Sequence, residues 1–329
     1  MVQPKGKEIE IKEEPSVPPE IFEAASSGKL VLFIGAGVSR IIGCPSWENL
    51  ALKQLEYLRK EKAINYHEYE NLKSLDSRKL LSICRNIYKE NKIIPPPMES
   101  LLKGNKKLIK KYKIYDALYS FNSIYITTNY DNYLDEIIKN PIPESEIKIY
   151  SKNESQISLN KEKTKGKIFY QKEDILISNL ENGNLIHFHG SINDEKNLIM
   201  TIVEYMNHYK LDDKPACLLQ EVFKNYTVLF VGYGLEEYEI IEFMVSKSSV
   251  AKNEIRHYML YPMFEKNNNL FKFHQGYYGE LGIRLIPYSI DKRGHEQLAV
   301  VIKKWAKKIG QISQSQGFLE KIKIIDEVI

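Results

Sequence analysis

Several polar residues in this chain have the types and spacing that catalysis needs. Asn129 and Asp131 stand two apart in Thr127-Thr128-Asn129-Tyr130-Asp131, directly after an apolar run. A neutral amide beside a carboxylate can orient a water or read an amide ligand. The alternative is that one of them simply caps the helix that follows. His187 and His189 alternate within Asn184 to Ser191, a run that reads as a strand and would turn both rings to one face. Alternating histidines can bind a metal, but a third ligand is needed and none is evident. A histidine beside Gly190, where strand becomes loop, is better placed as a general base near neutral pH.

Two glycine turns accompany these residues. The first is Gly35-Ala36-Gly37-Val38-Ser39, after the apolar run Leu30 to Ile34. Glycines at a strand end let the backbone turn sharply and approach a ligand closely. A helix starting near Ser39 would aim its free N–H groups and dipole at the same point, which suits a phosphate. Arg40 stands where a dinucleotide fingerprint would put its third glycine, so this turn alone also fits a plain strand-to-helix connection. The second turn is Gly232-Tyr233-Gly234, after Thr227 to Val231. Two such turns at the ends of two strands suit a two-part ligand.

The elements that must hold these residues read as a doubly wound α/β protein, Rossmann-like, with a parallel sheet and an inserted helical lobe. Short apolar runs at Leu30–Ile34, Ser123–Thr128, Asn184–Ser191, Thr227–Val231, His257–Tyr261 and Ile283–Pro287 predict six buried parallel strands. The first four end in polar or glycine-rich turns, and in open α/β sheets the ligand sits beyond the carboxyl ends of the strands. That convergence points to an enzyme and not a scaffold. Residues 1–19 mix charge and proline and read as a disordered tail. A helix is expected from Pro19 to Ser27, before the first strand. Ser46 is expected to cap a helix, and the leucine spacing beyond it predicts a helical insertion over about residues 48–120. Further helices are expected after Tyr133, over Val203 to Tyr209 and over His295 to Ile309. Residues 141–166 read as a polar loop. Phe318, Ile322, Ile325 and Ile329 predict an amphipathic C-terminal helix over 311–329 that packs on its own domain or on a partner.

Composition is that of an ordinary globular chain: 329 residues, 43% hydrophobic, 27% charged, net charge +4. The three cysteines, Cys44, Cys84 and Cys217, form no close pair, so neither a zinc ribbon nor a disulfide framework is indicated. The N-terminus lacks the apolar stretch of a signal peptide and no run is long enough to span a membrane, which predicts a cytoplasmic protein without membrane contact. The basic run Lys103 to Lys113 reads as a solvated helix face, so direct nucleic-acid binding is not expected.

In order and spacing these stretches resemble the sirtuin family, the NAD-consuming enzymes related to the silent information regulator. The family's GAG-x-S turn, G-x-P-x-aromatic segment, T-x-N-x-D segment, His-Gly strand end and later glycine turn correspond to Gly35 to Ser39, Gly43 to Trp47, Thr127 to Asp131, His189-Gly190 and Gly232 to Gly234. The resemblance covers about residues 20–310 and implies a catalytic domain there. It implies that Gly35, Ala36, Gly37 and Ser39 hold the NAD pyrophosphate and ribose. It places Trp47 over the nicotinamide ribose, Asn129 and Asp131 at that ribose and the carboxamide, His189 as the catalytic base, and Gly232 and Gly234 near the adenosine half. The chain departs from the protein deacylases of the family. No cysteine module follows His189-Gly190, Glu48 replaces an arginine, and Gly232-Tyr233-Gly234 replaces G-T-S. These features look like the bacterial sirtuin-like subgroup of anti-phage defence, whose members hydrolyse NAD. The implied activity is an NAD glycohydrolase with NAD as substrate and no metal. Implied partners are a second copy of the chain or a separately encoded protein, such as a DNA-translocating ATPase or an Argonaute-like protein. The other readings are a protein deacylase and a non-catalytic NAD or ADP-ribose sensor.

Overall fold

The computed structural model describes residues 10–140, 166–210, 213–234, 240–241 and 257–309. Seven strands form one sheet: β1 (Leu30–Ile34), β2 (Ile124–Thr127), β3 (Ile168–Phe169), β4 (Leu185–His187), β5 (Thr227–Val231), β6 (His257–Met263) and β7 (Ile283–Ser289). The order is β3-β4-β2-β1-β5-β6-β7 and every pairing is parallel. The chain leaves β1 towards β2 and later returns to the other side of β1 with β5. Strand order therefore reverses between β1 and β5, where a doubly wound sheet opens its ligand crevice.

The strands are apolar throughout because both faces are covered. Leu30, Leu32 and Ile34 of β1 enter the core on one face, and Val31 and Phe33 enter the core on the other. The six predicted strands are present. The two-residue β3 carries too short an apolar signal to read as a strand. The third predicted strand stops early, at His187 and not at Ser191, because Gly190 adopts φ +83° and turns the chain away.

Among the described residues, eleven α-helices precede β5. They are α1 (Pro19–Ser26), α2 (Ala36–Ile41), α3 (Trp47–Lys60), α4 (Tyr66–Leu72), α5 (Ser77–Glu90), α6 (Met98–Leu101), α7 (Lys106–Tyr112), α8 (Ile114–Tyr119), α9 (Tyr133–Lys139), α10 (Ile202–His208) and α11 (Lys214–Asn225). Asn49 donates its backbone N–H to the Ser46 hydroxyl at 3.2 Å, the expected cap of α3. The insertion is helical but divides in two. Leu55, Leu58, Leu80, Leu81 and Cys84 give α3 and α5 a small core of their own. Tyr112, Ile114, Tyr115 and Leu118 of α7 and α8 instead join the main core. The helix Asn268–Glu280 joins β6 to β7, and residues 297–309 form a further helix.

Residues 10–18 differ from the expected disordered tail. Ile11 and Val17 are buried, and Lys12 pairs with Tyr288 at the β7 edge. The Trp305 indole donates to the Pro15 carbonyl at 2.8 Å, and Gln297 donates to the Glu13 carbonyl at 2.8 Å. Apolar Ile11 and Val17, set among charges and prolines, anchor a strap over the sheet edge. Residues 1–9, most of the polar 141–166 loop and the predicted 311–329 helix lie outside the described residues.

Candidate active site

The two glycine turns meet at the switch point. The Gly35 amide donates to the Val231 carbonyl at 3.0 Å and the Gly37 amide donates to the Gly232 carbonyl at 2.8 Å. Contact is so close that a Cβ on Gly37 would lie 2.7 Å from the Gly232 oxygen, and one on Gly232 would lie 2.6 Å from the Val38 nitrogen. Gly232 also adopts φ +60°. These glycines are thus required by backbone packing before any ligand arrives. The Gly37 amide is taken up by this contact.

Behind the first turn lies a buried polar network. Ser39 comes from α2, Asn129 and Asp131 from the loop after β2, and Tyr115 from α8. Asn129 Nδ2 donates to the Gly35 carbonyl and to Ser39 Oγ, both at 3.0 Å. Ser39 donates to Asp131 Oδ2 at 2.6 Å, and the Tyr115 hydroxyl donates to Asp131 Oδ1 at 3.0 Å. A carbonyl only accepts, so Nδ2 must be the Asn129 atom facing Gly35. Both amide hydrogens are then used, and Oδ1 is the part of Asn129 that can serve a ligand. Burial raises the Asp131 pKa, opposed by the donors Ser39 and Tyr115 and by the nearby His187. Burial and the Asp131 charge hold Tyr115 protonated, so it remains a donor.

The two histidines do not share a face. His187, the last residue of β4, points to the α9 layer. Its Nδ1 donates to the Asn129 carbonyl at 3.2 Å, and its Nε2 meets Asp135 Oδ2 at 2.7 Å. Asp135 also accepts from Asn193 at 2.9 Å. His189 lies past the strand end and points to the opposite layer, against α10. Its Nε2 is 2.7 Å from the Tyr209 hydroxyl, and its Nδ1 is 3.4 Å from the Tyr205 hydroxyl. Burial, with the neighbouring His208 and Arg78, holds the His189 pKa well below the usual imidazole value. The ring is therefore neutral at pH 7, a state that can accept a proton.

A cavity of 1190 Å³ opens over these groups. Ala36, Gly37, Ser39, Trp47, Asn129, Asp131, His189, Gly232 and Gly234 all border it. Gly35 alone among the predicted residues lies beneath it, serving through its carbonyl. Trp47 packs on Tyr130 with ring centres 5.4 Å apart, joining the lobe to the β2 loop. Sequence reasoning missed Tyr115, Asp135, Arg78, Tyr205 and Tyr209. Tyr205 of α10 and Tyr209, the residue that caps its C-terminus, sit four apart, a spacing that signals one helix face, but their partner His189 is remote in sequence. Among the described residues no group of three His, Cys, Asp or Glu is placed to hold a metal.

A parallel sheet with two facing glycine turns and a polar cleft at its switch point defines a doubly wound α/β protein with a ligand crevice at the carboxyl ends of its strands. Residues 123–281 match the SIR2-like domain family, a stretch that contains Asn129, Asp131, His189, Gly232 and Gly234. The chain is also similar to Defense-associated sirtuin 2 of Bacillus subtilis, at 26% identity over 229 residues. That alignment covers 67% of this chain and 19% of the relative, so the chain spans about a fifth of its length. Over these stretches the chain is similar to sirtuin-like proteins.

Proposed function

We propose that this chain is an NAD glycohydrolase that releases nicotinamide and ADP-ribose and acts in bacterial defence against phage. The observation that carries this reading is the gathering of Asn129, Asp131, His189 and both glycine turns on one cavity. The cavity volume of 1190 Å³ lies above the roughly 300–1,000 Å³ usual for small ligands, which leaves room for a dinucleotide. Arg40 and Arg78 border it and supply positive charge for a diphosphate. The defence role rests on the similarity to a defence-associated sirtuin. Companion molecules, a second copy or a separately encoded partner, belong to the same proposal.

The bond to be broken joins nicotinamide to ribose. Nicotinamide leaves as a neutral ring from a cationic glycoside, so no strong acid is needed. The site must stabilise an oxocarbenium-like transition state and present water to it. The buried Asp131 carboxylate places negative charge behind that centre, held by Ser39 and Tyr115. Asn129, whose hydrogens are anchored, offers Oδ1 to orient the water or a ribose hydroxyl. Neutral His189 receives the proton. Without a cysteine module after Gly190, a dedicated acyl-lysine groove has no evident support in this sequence.

The test is to incubate the purified chain with NAD, with and without an acyl-lysine peptide, and to quantify products. Nicotinamide and ADP-ribose should appear in equal amounts and independently of peptide. Product formed only with peptide, as O-acyl-ADP-ribose, would establish a deacylase instead.

A further inference from the structure

His189 is only 1% exposed, so its access to a reacting group depends on what surrounds it. Its ring sits against Tyr205 of α10 and Tyr209 at the end of that helix, which stack with centres 6.2 Å apart. A neutral imidazole has one N–H and one acceptor nitrogen. In the tautomer that carries its proton on Nε2, the ring donates to the Tyr209 oxygen at 2.7 Å and Nδ1 accepts from the Tyr205 hydroxyl at 3.4 Å. The two tyrosines differ in one respect. Tyr205 borders the cavity and Tyr209 does not. The Arg78 guanidinium lies over the Tyr205 ring at 4.1 Å, and Arg78 borders the cavity too.

Building on the reading of this site as NAD-cleaving, we propose that Tyr205 is a catalytic residue whose hydroxyl meets the reacting water or ribose hydroxyl and relays its proton to His189. The substrate O–H bond breaks and a new O–H bond forms on the tyrosine oxygen. The tyrosine's own proton passes to Nδ1. His189 becomes an imidazolium that keeps its Nε2–H on Tyr209. That proton is the one hydrolysis of a cationic nicotinamide glycoside releases, and it leaves to solvent afterwards. The Arg78 cation stabilises negative charge gathering on the phenol during the transfer. It also disfavours the imidazolium, so the ring returns to its neutral state. In this relay Tyr209 is a positioning residue that accepts from Nε2 and holds the ring in place.

α10 holds these tyrosines in place through the lobe. Glu204 pairs with Arg85 of α5, and the Ile202 amide donates to the Ser82 hydroxyl at 3.1 Å. Glu204 also closes a capping box with Thr201. The relay is therefore mounted on a fixed helix.

The experiment compares Tyr205→Phe, His189→Ala and their double variant in nicotinamide release, with KM measured for each. Tyr205→Phe should lower kcat about a hundredfold, the scale of a lost proton-transfer group, with KM within about twofold. The double variant should be no slower than His189→Ala, because both changes break one path. A Tyr205→Phe enzyme within about threefold of wild type, or a double variant slower by the full product, overturns the proposal. Imidazole ¹⁵N shifts read the same contact without turnover. The Nδ1 resonance of His189 should move in Tyr205→Phe, and an unmoved resonance overturns the proposal. A wild-type protein that leaves NAD intact contradicts the reading of the site, and the ¹⁵N comparison then decides the Tyr205 contact by itself.

Discussion

At the residue scale, the site depends on polar groups whose partners are remote in the chain. Ser39 and Asp131 are 92 positions apart, yet their oxygens are 2.6 Å apart. The residue types at Asn129, Asp131 and His189 were legible because each stands at the end of an apolar run. Their partners Tyr115, Tyr205 and Arg78 were not, since a lone tyrosine or arginine on a helix looks like any half-buried side chain. Burial also changes the chemistry expected of the histidines. His208 lies against Phe188 with ring centres 4.9 Å apart, and burial lowers its pKa to about 4 from 6.5. In the unfolded chain this ring takes up a proton between those two values, so the unfolded state binds more protons there. Stability is then full above about pH 6.5 and falls as pH drops towards 4, by on the order of 3 kcal/mol for this group. Asp131, raised from 3.8 by burial, works with the opposite sign above that value. Chemical denaturation at pH 7.5 and 5 should show the loss, and His208→Phe should flatten it. An equal slope in that variant would remove His208 as its source.

At the element scale, the glycine turns bind β1 and β5 to each other as much as they suit a ligand. Sequence inspection finds the glycines but not their mutual contact, because neither turn reveals its neighbour in the sheet. Gly232→Ala must place a Cβ 2.6 Å from the Val38 nitrogen while keeping φ +60°. It should cost about 1–3 kcal/mol in stability and reduce NAD binding, since the turn must move. Thermal melting and calorimetric titration measure the two effects. A variant with unchanged melting temperature would show that the turns do not depend on this contact. The His187–Asp135 pair is a second example: β4 and α9 were each readable, but their buried 2.7 Å contact was not. Strand length was misread at the same place, where alternation of apolar residues continues past His187 while Gly190 ends the strand.

At the scale of the whole molecule, the doubly wound sheet followed from apolar run lengths and the turns between them. The strap did not. Its residues 10–18 have the charge and proline content of a tail, and only contacts with Trp305, Gln297 and Ser289 reveal a structural role. Burial of Ile11 and Val17 and three hydrogen bonds favour the docked strap, against the entropy of ordering it. Removal of residues 1–18 should lower the melting temperature by several degrees. An unchanged melting temperature would show that the strap rests on the sheet edge without stabilising it.

The central claim is that the cavity over Asn129 and His189 cleaves the nicotinamide–ribose bond. It is tested most directly by nicotinamide release from NAD by wild type, Asn129→Ala, His189→Ala and His187→Ala under one condition. Wild type should turn over, and Asn129→Ala and His189→Ala should each lose at least about two orders of magnitude while keeping a native melting profile. Turnover surviving in His189→Ala but lost in a folded His187→Ala would contradict the account, as would equal rates in all four proteins.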